Sequence, residues 1–516
     1  MEINEFFNLP MEEKKKFWQD SKDYEGFGQA FDFLRSRTPL RKPHLFPKLP
    51  LPFRFLIVDI MSKVLQMKIE EMRDLFKDGR QAMRMNYYPP CPQPEKVIGL
   101  TPHSDSVGLT ILLQINEVEG LQIRKDGMWV PIKPLPETFV VNIGDILEVL
   151  LEELKEAMEA NLKTLGGSLL VPCVQELAKE SLTAVPARYI RCDQDPPITS
   201  YTTSIPDVPI IDMEKLLSGD QMELKKLESA CKEWGFFQLI NHGVSSALLE
   251  KVKLEINEFF NLPMEEKKKF WQNSREFEGF GQAFVVSEEQ KLDWGDMFAL
   301  TTLPTHLRKP HLFPKLPLPF RDTLDSYANE LKHLAMKILD IMSKALQMKT
   351  EEMRDVFEDG RQVMRMNYYP PCPQPEKVNG FTPHSDGSSL TILLQINEME
   401  GLQIKKDGMW VPVKPLPETF VVNIGNILEI VTNGAYRSIE HRAVVNSRKE
   451  RLSIATFYDP GFDGEIGPAP SLITPQTPAL FRRIGVPEYF KGYFARKLDG
   501  KSYLDAMRIE NQSQDS

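Results

Sequence analysis

The spacing of apolar residues changes character partway along this chain. At Gln221–Trp234, Ala247–Phe260, Met264–Trp271 and Arg321–Met348 apolar positions recur every three or four residues, which predicts amphipathic helices. Val208–Asp212 alternates like a short strand, and Gly235–Asn241 reads as a second one that ends in a turn at His242-Gly243. From Val363 onward the runs MRMNYY, LTILLQI, LQIKK, MWVPVK, FVVNIG, HRAVVN and RLSIATFY are short, β-rich and separated by Gly, Pro, Asn and Asp. Such close spacing of short strands predicts a sandwich or barrel. A helical N-terminal half therefore precedes an all-β C-terminal half, an α+β layout. Residues 158–200 begin helical and become an irregular arm, and the polar tail ENQSQDS is predicted to be disordered.

The chain also repeats itself. Residues 80–150 align without gaps to residues 361–431, and of these 71 positions 12 differ and 59 match. Met1–Phe31 tracks Leu254–Phe284 in the same way. The register shift between the copies grows from 253 to 267 to 281, so copy 1 lacks two stretches of 14 residues. A period of this length excludes a solenoid or propeller. It is the mark of a domain-scale duplication or of two neighbouring genes read as one. After Leu150 the match stops and a helical linker, LEELKEAMEANLKTLGGSLLVP, follows. Met158 within it is a candidate start for a self-contained module of 359 residues ending at Ser516.

Bulk properties narrow the function. Of the 516 residues 41% are hydrophobic and 26% charged, enough for ordinary packed cores. The net charge of −10 argues against nucleic acid or an anionic membrane surface as partner. No apolar run reaches the ~18 residues of a membrane span, and the acidic start MEINEFFNLP does not read as a signal peptide. Five cysteines without CxxC spacing fit a reducing compartment, so the expected location is cytoplasmic.

The most informative chemistry is His384-Ser385-Asp386 with His441 further on. Two histidines and a carboxylate can hold one face of Fe(II) and leave the other open. Residues two apart in extended chain share a face, so His384 and Asp386 can reach one ion. His441 opens a later strand and is expected to approach from across the barrel. Taken alone, H-x-D is more often a capping turn than a metal motif. The context changes that. Arg451 and Ser453 share a strand face with Ala455 and Phe457, and a guanidinium beside a hydroxyl inside a barrel suits a ligand carboxylate. Asn367 and Tyr369 offer polar groups to the same cavity. Copy 1 keeps His103-Ser104-Asp105 but ends before any third histidine or Arg-x-Ser pair. The lysine runs at 14–16 and 267–269 read as solvated helix faces.

The succession NYYPPCPQP, HSD, GLQI, MWVPV, NIG, RSIEHR, ERLSIATFYDP, with WGFFQLINHG upstream, resembles the plant 2-oxoglutarate/Fe(II)-dependent dioxygenases. Within them it is most similar to the senescence-related oxygenases and alkaloid O-demethylases. The resemblance implies a double-stranded β-helix (jelly-roll) core with flanking helices, preceded by a partial repeat of the same fold. On this reading residues 1–150 are a truncated copy, 151–206 a helical linker and N-terminal arm, 207–310 the N-terminal non-haem dioxygenase domain, 311–360 connecting helices, 361–461 the jelly roll, and 462–516 a C-terminal helical segment and tail. It implies His384, Asp386 and His441 as Fe(II) ligands, Arg451 and Ser453 on the distal carboxylate of 2-oxoglutarate, Asn367 and Tyr369 near that co-substrate, and Phe457 against the organic substrate. It also implies ascorbate as reductant, O2 as co-substrate, and a small substrate such as an alkaloid or flavonoid that is hydroxylated or O-demethylated. Two places depart from the family pattern: Gly425-Asn426 stands where Gly-Asp is usual, and Gly387-Ser388-Ser389 differs from copy 1's Ser106-Val107-Gly108. These departures motivate the alternative, a catalytically idle binding protein on the same fold.

Overall fold

The computed structural model describes residues 7–15, 73, 83–149 except 126 and 137, 168–191 except 181, 195, and 206–509 except 274, 275 and 359. The predicted linker helix from residue 151 and the polar tail from residue 510 lie outside these residues, as does most of Met1–Phe31. Two compact units are present, Met1–Glu148 and Val149–Ser516.

The first unit holds four described strands, β1 (Leu109–Leu113), β2 (Gln122–Lys125), β3 (Met128–Pro131) and β4 (Phe139–Ile143). Among the described residues β1 pairs with β4 alone, and β2 with β3 alone. The β2–β3 hairpin turns through Gly127 at φ +82°, a backbone region that glycine enters without steric cost. These strands are poorly covered. Trp129 is 49% exposed, whereas its counterpart Trp410 in the second unit is 4% exposed.

Among the described residues the second unit has twelve principal strands. β5 (Ile210–Asp212), β6 (Phe236–Ile240), β7 (Gly279–Gly281) and β8 (Asp296–Leu303) come from its first half. β9 (Arg361–Tyr369), β10 (Phe381–His384), β11 (Leu390–Gln395), β12 (Leu402–Lys406), β13 (Met409–Pro412), β14 (Phe420–Ile424), β15 (His441–Ala443) and β16 (Arg451–Asp459) follow. Eight of them form one sheet in the order β5-β6-β14-β11-β16-β9-β8-β7, and four form a second, β10-β15-β12-β13. All pairings are antiparallel except β5 with β6.

The expected division into a helical half and a β half is corrected here. The N-terminal half supplies β5 to β8, half of the large sheet. β8 escapes a periodicity search because seven of its eight residues are buried on both faces, leaving no polar alternation.

The helices form where their spacing predicts. α1 (Gln221–Ser229) starts at Asp220, whose carboxylate accepts the amides of Met222 and Glu223. It ends in a π-turn closed by Gly235 at φ +60°. α2 (Ser246–Asn261) and α3 (Leu318–Ala345) pack together. α3 buries Phe320, Leu324, Tyr327, Leu331, Leu334, Ile338 and Met342, an apolar stripe at helical spacing that joins the main core. Truncating one of these to Ala costs roughly 2–5 kcal/mol. α4 (Asn426–Val431) is buried on every side, and α5 (Val486–Phe494) buries Val486, Tyr489 and Phe490.

The second lysine run is also corrected. Lys268 and Lys269 pair with Glu265 and Glu266 at the surface, but Lys267 is fully buried. Its ammonium donates to the Phe260 carbonyl at 3.0 Å and to the Gln175 side chain, so it pins the N-terminal arm to α2. Burial holds its pKa below the ordinary lysine value.

Candidate active site

The site grows from the small sheet. β10 ends at His384, β15 begins at His441, and these two residues face each other across the antiparallel pair. Their ring centroids are 4.3 Å apart. The expectation that His441 arrives from across the barrel is therefore corrected: it stands on the neighbouring strand. Asp386 follows in the loop between β10 and β11. Its Oδ1 lies 3.4 Å from His384 Nε2 and 3.6 Å from His441 Nε2. One donor atom from each residue falls within 4.8 Å of the others, and this is the only such trio among the described residues.

Hydrogen bonds aim these atoms. Asp386 Oδ2 accepts from Thr391 Oγ1 at 2.6 Å and from Asn423 Nδ2 at 2.8 Å, which leaves Oδ1 for the imidazoles. His384 Nδ1 meets the Thr382 carbonyl at 2.7 Å, and His441 Nδ1 the Ile439 carbonyl at 3.1 Å. A carbonyl only accepts, so each Nδ1 carries a proton, and in the neutral ring each Nε2 presents a lone pair. Three acceptors thus converge with no proton between them, an arrangement that calls for a cation.

Protonation agrees with this. Burial opposes ionisation of Asp386, but His441, His384 and the Thr391 hydroxyl outweigh it and hold the carboxyl well below its usual range. Burial, with His384 alongside, pushes His441 down to about 4 against the pull of Asp386. Neutral imidazole and carboxylate are the forms that bind Fe(II). Mixed imidazole and carboxylate donors without a thiolate fit iron better than a structural zinc.

The loop after Asp386 is clamped. Tyr489 Oη donates to the Gly387 carbonyl at 3.0 Å, and Tyr493 Oη accepts the Gly387 amide at 3.1 Å, both from α5. The Asn426 amide donates to the Asp386 carbonyl at 2.7 Å. The family departure at Asn426 therefore preserves a backbone bond to the loop. Upstream, Asp293 Oδ1 accepts from Thr382 Oγ1 at 2.6 Å and from Arg191 at 2.9 Å, bracing β10 two residues before His384.

The second cluster lies on β9 and β16. Their register sets Arg451 opposite Tyr369, Ser453 opposite Asn367, Ala455 opposite Arg365 and Phe457 opposite Val363. Arg451 Nη1 reaches Ser453 Oγ at 3.5 Å and Nη2 reaches Gln395 Oε1 at 3.3 Å. Asn367 Nδ2 reaches the same Ser453 hydroxyl at 3.4 Å. The Arg451 guanidinium is buried, its Nε has no hydrogen-bond partner among the described residues, and burial pulls its pKa down with Tyr369 opposing. A buried guanidinium without an anion is costly, which fits the site to a ligand carboxylate. Phe457 is half-buried further along the same face.

Sequence reasoning missed several residues here. Arg365 lies between the clusters: its guanidinium sits 4.0 Å from the centroid of Phe381, whose ring is 4.3 Å from that of His384. Alternation back from Asn367 was the available signal. Thr391 and Asn423 were visible as polar residues inside apolar strands. Tyr489 and Tyr493 left no local trace.

In the first unit His103 and Asp105 come together, but no third donor joins them among the described residues.

Comparison with known proteins places the chain. The sequence profile of the 2OG-Fe(II) oxygenase superfamily matches residues 79–160 and 360–460. The profile of the N-terminal region of non-haem dioxygenases in morphine synthesis matches residues 208–316. Protein SRG1 of Arabidopsis thaliana is 60% identical over 358 residues, covering 68% of this chain and 100% of that protein. Oxoglutarate-dependent flavonoid 7-O-demethylase 1 of Ocimum basilicum is 58% identical, covering 69% and 96%. Codeine O-demethylase of Papaver somniferum is 57% identical, covering 67% and 98%. Among solved structures, JOX2 in complex with 2OG, Fe and JA superposes with a TM-score of 0.61 at 36% identity, covering 66% of this chain and 98% of that one. The chain belongs to the 2OG-Fe(II) oxygenase superfamily and is a 2-oxoglutarate- and Fe(II)-dependent dioxygenase.

Proposed function

We propose that His384, Asp386 and His441 hold Fe(II), and that Arg451 and Ser453 take the distal carboxylate of 2-oxoglutarate with Asn367 and Tyr369 beside it. We further propose that the oxidised substrate is a small, partly aromatic specialised metabolite. The observation that carries the reading is the trio of converging acceptor atoms together with a buried guanidinium that has no carboxylate partner among the described residues. Bound Fe(II) supplies dioxygen activation coupled to decarboxylation of 2-oxoglutarate to succinate and CO2, with ascorbate as reductant.

The chain's residues do the rest. Thr391 and Asn423 keep one Asp386 oxygen occupied so that the other faces the metal. The Thr382 and Ile439 carbonyls fix the imidazole tautomers. Arg451 orients the co-substrate by its two-pronged geometry. Phe381 and Phe457 offer apolar surface to an aromatic ring, and the Arg365 guanidinium lies over the face of Phe381. The names of the flavonoid and codeine demethylases support an aryl methyl ether as substrate, whose hydroxylated methyl group leaves as formaldehyde. We place residues 1–150 as a truncated copy without a dioxygenase centre of its own. No helix among the described residues is long and apolar enough to cross a membrane. Five cysteines without CxxC spacing support a cytoplasmic location.

The test is succinate release from 2-oxoglutarate, dependent on Fe(II), with methoxylated flavonoids and alkaloids as trial substrates. Formaldehyde in step with succinate marks O-demethylation, and a hydroxylated product without it marks hydroxylation. No iron-dependent succinate with any aromatic substrate would favour the idle binding protein.

A further inference from the structure

The first unit reproduces half of the metal centre with its supporting bonds. His103 Nε2 lies 3.6 Å from Asp105 Oδ1, against 3.4 Å for His384 and Asp386. Asp105 Oδ2 is tied by Thr110 Oγ1 at 2.6 Å and Asn142 Nδ2 at 2.8 Å, the same distances that Thr391 and Asn423 make to Asp386. His103 Nδ1 meets the Thr101 carbonyl at 2.7 Å, as His384 meets Thr382. The Asp145 amide donates to the Asp105 carbonyl at 2.7 Å, as the Asn426 amide does to Asp386. The pair is therefore aimed in the same way as in the complete centre: one carboxylate oxygen and one imidazole lone pair converge. The surroundings differ. The side chains of His103 and Asp105 are 48% and 26% exposed, so water reaches the space between them.

We propose that His103 and Asp105 form a second, weaker site for a divalent first-row transition-metal ion, with water filling the remaining positions. Imidazole nitrogen with one carboxylate oxygen selects such ions over Mg(II), which favours all-oxygen shells. The site is inert as a dioxygenase, because the match to the second copy ends at Leu150, before any counterpart of His441, Arg451 or Ser453. Pre-orientation by Thr110 and Asn142 distinguishes it from an adventitious surface pair, since outer-shell bonds set both aim and affinity.

Equilibrium dialysis of the full chain against Co(II), followed by metal analysis, tests this. The wild-type chain takes up one tight equivalent and then a weaker second. The double variant His384→Ala/His441→Ala loses the tight equivalent and keeps the weaker one. Adding His103→Ala or Asp105→Asn to that background removes the weaker one as well. Circular dichroism of each variant confirms the fold, and Asp105→Asn preserves the shape of the side chain. Saturation of the wild type at a single equivalent overturns the proposal. So does a weaker equivalent that survives either added substitution in a folded chain.

Discussion

Tyr493 occupies the space that a side chain at Gly387 would need. A Cβ placed on Gly387 would lie 2.5 Å from Cζ of the tyrosine ring, while the Tyr493 hydroxyl accepts the Gly387 amide at 3.1 Å. Glycine here is thus a condition for seating α5 against the loop that carries Asp386. Copy 1 has Ser106 at the equivalent position, so its loop does not fit beneath such a tyrosine.

Gly387→Ser is expected to displace Tyr493 and loosen the loop. Overpacking of this kind costs about 1–3 kcal/mol. Tyr493→Phe removes only the hydroxyl, which accepts the Gly387 amide and donates weakly to the Ser385 carbonyl at 3.4 Å, together worth about 1 kcal/mol. Co(II) affinity and thermal unfolding should therefore fall more for Gly387→Ser than for Tyr493→Phe. Wild-type affinity in Gly387→Ser would show that the clamp does not position the ligand.

His384→Ala or Asp386→Ala should abolish iron-dependent succinate release, because one of the three proposed protein ligands is lost. His103→Ala should leave turnover unchanged. Equal losses from His384→Ala and His103→Ala would contradict a single dioxygenase centre.

Arg451→Lys keeps the charge but loses the fork, and is expected to raise the KM for 2-oxoglutarate. Arg451→Ala should remove the proposed charge-assisted bond, worth about 1.5–3 kcal/mol, or roughly ten- to over a hundredfold in affinity. An alanine variant with unchanged 2-oxoglutarate dependence would reject the assignment.

The buried His441 makes the metal-free protein acid-sensitive. Its folded-state pKa of about 4 lies below the unfolded value near 6.5. The unfolded chain therefore binds the extra proton first, and stability falls as pH drops through that interval. Thermal unfolding of the metal-free chain should show a midpoint decreasing from pH 7 towards 4. A His441→Gln variant should flatten that slope, and an unchanged slope would place the effect elsewhere.

A chain beginning at Met158 retains every residue of the proposed centre. It should fold, bind one Fe(II) and consume 2-oxoglutarate as the full chain does. Supporting this, protein SRG1 is matched over its whole length by 358 residues of this chain. Loss of folding or turnover on truncation would show that the first unit contributes structure to the second.

Local pattern determined a good deal by itself. The helices at Gln221, Ser246 and Leu318, the strands from Arg361 onward, the H-x-D…H order and the Arg451-x-Ser453 pair follow from spacing along the chain, because helix and strand periods act over a few residues. Tertiary structure decided what depends on pairing between distant segments. β8 is recognisable only once β7 and β9 cover its edges, since burial on both faces erases alternation. Strand register, which no local pattern encodes, set His441 beside His384 and stacked Arg451 on the Tyr369 side of β9. Lys267 became a buried donor only because the Gln175 side chain and the Phe260 carbonyl were brought to it. Tyr493 acquired its role when α5 folded back over a loop more than a hundred residues earlier. The identical FVVNI strands make the point most directly. Phe420 is fully buried between β6 and β11, while Phe139 is 47% exposed on a two-stranded sheet. The residues are the same, and the neighbours that remove water from them are not.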